Sequence, residues 1–223
     1  MDGMAGKVAP IATETGKKKV FAWAVEWPGW CRSAKTEELA IEALAAYAGR
    51  YKAVAEEAGL AFPQTDTFDI QERLPGSAST DFGVPGAIAS ADRKPVKAAE
   101  AARAGELLTA AWDILATVAA RSPAELTKGP RGGGRDRDKM LDHVVGSESG
   151  YGRMIGVKHK QPAFDDEEAV AALRADLKRA LSRPSDGSPL RPNGWPARYA
   201  TRRIIWHVLD HVWEMEDRHP SRV

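Results

Sequence analysis

The 223-residue chain holds a single cysteine, Cys31, so no disulfide can form within it, and a reducing cytoplasm is its expected home. It has no excess of either charge. Its 32 Lys and Arg stand against 31 Asp and Glu, for a formal net charge of +1. Attraction to nucleic acid or acidic membranes through bulk charge is therefore not supported. No run approaches the roughly 20 apolar residues of a membrane span, and no basic-then-apolar leader is legible at the start. What remains is 43% hydrophobic and 28% charged, the make-up of a folded globular chain. The length suits one large domain or two small ones. The 5 histidines are few enough to weigh singly.

The two halves differ in pattern. Residues 7–27 alternate as strands do, with β-branched and aromatic residues concentrated from Val20 to Val25. Thr15-Gly16 marks a hairpin turn, and residues 30–33 predict a short third strand. Thr36 can cap a helix that opens with Glu37 and Glu38 and stops at Gly59. A last strand is expected over 67–74. Residues 1–75 thus read as a small ββ(β)αβ domain. Residues 76–92, rich in Gly, Pro and small side chains, read as a linker. Helical periodicity then dominates, over 95–121, 138–155, 166–182 and 197–218. Four such segments predict an up-down four-helix bundle over 93–223, and the fold class is α+β.

The sharpest local signal lies in the last helix. His207 and His211 are four residues apart, hence on one face and a turn from each other. That face also carries Ile204, Val208 and Met215, an apolar stripe that should point inward. On the second long helix His143 borders the stripe of Met140, Val144, Tyr151, Met154 and Ile155. Three imidazoles meeting inside a bundle can bind one metal ion and leave positions open for water or substrate. The bland alternative is three histidines in ordinary hydrogen bonds. His159 and His219 lie among charges and read as solvated.

Other residues carry two readings each. Asp210 and Glu214 can orient an imidazole, serve as a base, or be exposed helix charges. Tyr151 and Glu148 are weaker candidates for the same pocket. Arg203 can meet an anionic substrate or form a surface ion pair. Cys31 follows Pro28-Gly29 with no base nearby, which favours a small buried hydrophobe over a nucleophile. Gly129–Gly134, with Arg131, Arg135 and Arg137, can cradle phosphate but lacks the GxxxxGK[ST] pattern, which favours a plain loop. Trp206 and Trp213 fall opposite the histidines, so they should pack on another chain or on the N-terminal domain.

The region 93–219 resembles the DinB/YfiT-like superfamily of four-helix bundles. The likeness rests on ELLTAAWDILATVAA, on KMLDHVVGSESGYGRMI with one histidine, and on HVLDHVWEMEDR with HxxxH. It implies a metal triad of His143, His207 and His211 holding zinc or nickel. It also implies chemistry with a low-molecular-weight thiol such as mycothiol, bacillithiol or glutathione, as in transferases and isomerases. A hydrolase is a further option. The stretch 20–51 resembles HicB-type antitoxin domains: Trp27-Pro28-Gly29-Trp30-Cys31, then Thr36, Glu38 and Ala40, with Leu39 in place of a glutamate. No DNA-binding element follows it. The expected partners are a small-molecule substrate or thiol, with a homodimer admitted and nucleic acid not favoured. The alternative function is non-catalytic binding or regulation through the HicB-like domain.

Overall fold

β-Branched and aromatic residues near the start form three antiparallel strands: β1 (Ala9–Thr15), β2 (Val20–Ala24) and β3 (Cys31–Ala34). The β1–β2 turn closes with the Gly16 N–H on the Lys19 carbonyl at 2.9 Å. The computed structural model describes residues 8–63, 65, 67–129 and 133–220. A fourth strand, β4 (Phe68–Pro75), pairs parallel to β1, so the sheet order is β3-β2-β1-β4. Parallel pairing requires a crossover, and two helices make it: α1 (Glu37–Ala46) and α2 (Ala48–Glu57). Thr36 caps α1 as expected, its hydroxyl accepting the Leu39 N–H at 3.3 Å. Gly59, with φ +69°, follows the end of α2.

The segment 36–59 reads as one helix in the sequence but is two in the structure. At Tyr47 the backbone N–H bonds the Leu44 carbonyl at 3.2 Å, tightening the turn. The Tyr47 ring meets Trp213 edge to face, with centroids 5.0 Å apart. A tertiary contact thus accompanies a break that helix propensity alone does not predict.

Strand alternation sorts the sheet's side chains. Ile11, Val20, Ala22 and Ala24 share one core with Leu44, Tyr51 and Val54. Ala12, Phe21, Trp23 and Cys31 form a second cluster with Ala89 and Trp206. The sheet is therefore buried on both faces. The segment 76–92 holds the short helix α3 (Ala78–Phe82) and most of a 3-10 turn, Ser90–Arg93. It is strapped to β1 by the buried carboxylate of Glu14, which accepts the Thr80 hydroxyl and the N–H groups of Gly86 (3.2 Å) and Ala87 (2.9 Å).

Four long helices follow: α4 (Ala98–Arg121), α5 (Arg137–Met154), α6 (Glu167–Leu181) and α7 (Ala197–Asp217). Helix α7 touches the other three, and α6 also touches α4 and α5. The whole is mixed α+β, with seven α-helices among the described residues. None of these helices is long and apolar enough to cross a membrane. Both tryptophans of α7 are buried against the N-terminal elements, Trp206 on Phe21 at 6.1 Å and Trp213 on Tyr47.

Two contacts fix this seam. Arg202 forms a buried ion pair with Asp92 at 2.6 Å, donates to the Ala87 carbonyl at 3.0 Å and lies over the Trp23 ring at 4.3 Å. Gly29, at φ +96°, presses on α7 so closely that a Cβ would sit 2.3 Å from Ile205 Cγ2. Asp92→Ala strands a buried guanidinium and should cost about 3–5 kcal/mol. The pair Asp92→Leu with Arg202→Met should cost far less. Urea denaturation of the three proteins checks both. Gly29→Ala combines a strained φ with a clash and should lose about 2 kcal/mol or more. A thermal midpoint equal to wild type would count against this account of the seam.

Candidate metal centre

Helices α5 and α7 position the three candidate ligands. The α7 stripe of Ile204, Val208 and Met215 is fully buried, and so is the α5 stripe of Met140 and Val144. Burying both stripes between the helices brings His143 to the His207–His211 pair. One ligand atom from each of the three histidines lies within 4.8 Å of the others. His207 Nε2 and His143 Nε2 are 3.1 Å apart. Two ligands of a tetrahedral ion with bonds of about 2.0–2.1 Å would be separated by about 3.3 Å, so the spacing suits a shared cation.

The electrostatics point the same way. Burial, with help from Arg135 and His211, pulls the His143 pKa down to about 4. Burial and the neighbouring histidines hold His207 well below its ordinary value. Both rings are therefore neutral near pH 7, the form that ligates a metal. His207 Nδ1 is buried with no hydrogen-bond partner, and its other nitrogen faces another imidazole. Such a group calls for an explanation. A cation between the facing Nε2 atoms would engage that side of the ring alone and would leave Nδ1 without a partner.

Glu214 orients the third ring. Its Oε2 lies 3.0 Å from His211 Nδ1, and its Oε1 accepts from Arg218 at 2.7 Å. Burial alone would push this carboxyl up. The hydrogen bonds from His211 and Arg218 outweigh it and hold the pKa below the usual value. An ionised Glu214 accepts the Nδ1 proton, which leaves Nε2 free as the ligand atom. Arg218 was not among the sequence candidates. Its i,i+4 spacing from Glu214 was the available signal.

The other candidates divide. Tyr151 stands edge-on to His207, with centroids 5.6 Å apart. Its hydroxyl accepts from Arg203 Nη2 at 3.3 Å, and burial raises its pKa. Arg203 is buried, not a surface ion pair. It also donates to the Pro85 carbonyl at 3.4 Å and lies over the rings of Tyr151 and Trp206. Asp210 pairs with Arg32 of β3 at 3.1 Å, across the seam. Glu148 belongs to a different cluster, where it accepts from Trp112 at 2.8 Å and Arg174 at 3.0 Å. Cys31 is fully buried, which pushes its thiol up to about 12 and excludes a ready nucleophile.

Arg137 bonds Asp138 and the Ser122 carbonyl, while Arg131 lies outside the described residues. His159 is tied to Asp176 at 2.9 Å and is not a free surface group. A cleft of about 710 Å³ lies elsewhere, between the sheet and helices α4 and α7, with no histidine in its walls.

Removing the Glu214 carboxylate frees the His211 ring to rotate. Glu214→Ala should therefore lower zinc or cobalt affinity by about 10–100-fold, with the fold intact by circular dichroism. Competition with a chelating dye measures this, and unchanged affinity would refute the orienting role. Comparisons of the chain with protein-family models, with curated proteins and with solved structures gave no match.

Proposed function

We propose that His143, His207 and His211 hold a divalent metal, zinc or nickel. On this reading the protein is a metal-dependent enzyme acting with a low-molecular-weight thiol, of the transferase or isomerase type. Helices α4–α7 would then be a DinB-like four-helix bundle, and the sheet unit a HicB-like domain. One observation carries the proposal: three imidazoles from two helices converge within 4.8 Å, with His207 Nε2 3.1 Å from His143 Nε2. An all-imidazole donor set suits zinc or nickel. When bound, such a metal supplies Lewis acidity that lowers the pKa of a thiol.

The chain's own residues would do the rest. Glu214 fixes the ring of His211. Arg203 is buried beside His207 with no carboxylate in salt-bridge reach among the described residues, so its guanidinium, with the Tyr151 hydroxyl, can receive an anionic part of the substrate. The single cysteine is buried, so the reacting thiol must come from outside. A non-catalytic binding role is the second reading. It is favoured by the placement of the 710 Å³ cleft away from the histidines.

Elemental analysis of the purified protein should find close to one equivalent of zinc or nickel, lost in His207→Ala. Adding glutathione, mycothiol or bacillithiol to cobalt-loaded protein should produce a sulfur-to-cobalt charge-transfer band. Stoichiometric metal without any thiol band would favour the binding role. Metal retained by His207→Ala would overturn the site.

A further inference from the structure

The 710 Å³ cleft is built from both halves of the chain. One wall is Trp27 and Phe62, whose rings meet edge to face at 4.9 Å. The facing wall is the start of α4, with Arg103 and Ala104, and apolar side chains such as Val96 and Leu181 line the interior. The volume falls within the range of small-molecule pockets, and a seam between structural units is a common place for one.

The charges in this cleft are unequal in their commitments. Asp92 is engaged by Arg202 and by the Ala89 N–H, and Glu100 by Arg198 and the Lys97 N–H. Arg103 differs. Its guanidinium lies 4.1 Å from the centre of the Trp27 ring and makes one hydrogen bond, to the Glu26 carbonyl at 2.7 Å. No carboxylate lies within salt-bridge distance of it among the described residues. A guanidinium has five N–H donors in a planar fork. Here one is used, one face is covered by an indole, and the rest border an aromatic cleft. Lys94, also on the lining, adds a second cation without an ion-pair partner among the described residues.

We propose that this cleft is a binding site for a small aromatic carboxylate, independent of the metal centre. The ring would lie against Trp27 and Phe62, and the carboxylate would take the open edge of Arg103 in a two-pronged hydrogen bond. An aromatic cation is disfavoured because Asp92 and Glu100 already have partners and Glu26, the third acid on the lining, is exposed to solvent. A purely apolar ligand would leave the Arg103 donors unmet.

The test uses the full chain and 1-naphthoate as the probe, with 1-naphthamide as its neutral analogue. Isothermal titration calorimetry should show saturable 1:1 binding of naphthoate, at least about tenfold tighter than the amide. Arg103→Met preserves the stem over Trp27 and should abolish that preference. Ala104→Phe leaves Arg103 in place but fills the cleft, and should remove binding of both probes even if Arg103→Met proves too unstable to assay. The metal content of both variants should equal wild type, which separates this site from the histidine centre. Equal affinity for acid and amide, undiminished binding by Ala104→Phe, or no binding of naphthoate at millimolar concentration would each overturn the proposal.

Discussion

Helix α7 needs cover on every side, and most of the structure is arranged to provide it. Sixteen of its 21 residues are buried, including both tryptophans, two arginines and two histidines. One stripe faces α4, α5 and α6, and the opposite stripe meets the strands and the Tyr47 break. A helix with apolar groups on two sides can be stable only between two layers. Burial of a tryptophan and its neighbours against the sheet contributes on the order of 25 cal/mol per Å² of apolar surface. The N-terminal unit is therefore a structural requirement of the helix that carries the candidate metal ligands.

Burying α7 also buries its charges, and consecutive arginines are handled in different ways. Arg202 turns toward the sheet and is neutralised by Asp92, with the Trp23 and Tyr199 rings against its guanidinium. Arg203 turns toward the histidines and, among the described residues, is held by neutral groups: a carbonyl, a hydroxyl and two rings. A paired buried charge contributes to register, because shifting α7 by one residue would separate it from Asp92. An unpaired one keeps a positive potential beside His207, which helps hold that imidazole neutral.

Local pattern made much of this legible. The strands, the Thr36 cap, the four long helices and the inward turn of His143, His207 and His211 all follow from periodicity and capping, which act over a few residues. The placement of Trp206 and Trp213 followed from the same wheel. Long-range partnerships were not legible. Nothing local in 76–92 announces that Glu14 will bind Gly86 and Ala87, or that Asp92 will meet a residue 110 positions later. Small residues and prolines read as a linker because composition reports chain stiffness, not what the backbone N–H groups will find. Asp210 shows the same limit. Its spacing from the histidines suggested a shared pocket, but Arg32 of β3 lies 3.1 Å from it on the seam side.

The cluster also sets a condition on the stability of α5 against α7. His143 and His207, both neutral near pH 7, face each other through their Nε2 atoms, and His207 Nδ1 is buried without a partner. Each such mismatch costs about 1–3 kcal/mol. The surrounding apolar stripes must therefore hold the two helices together against a locally unfavourable polar centre. A cation that binds only the folded arrangement would add its binding free energy to the folding free energy and so offset that cost. The destabilised centre and the well-packed stripes around it are then two parts of one arrangement. Packing preorganises the three imidazoles, and a cation bound among them would offset the cost of holding them together.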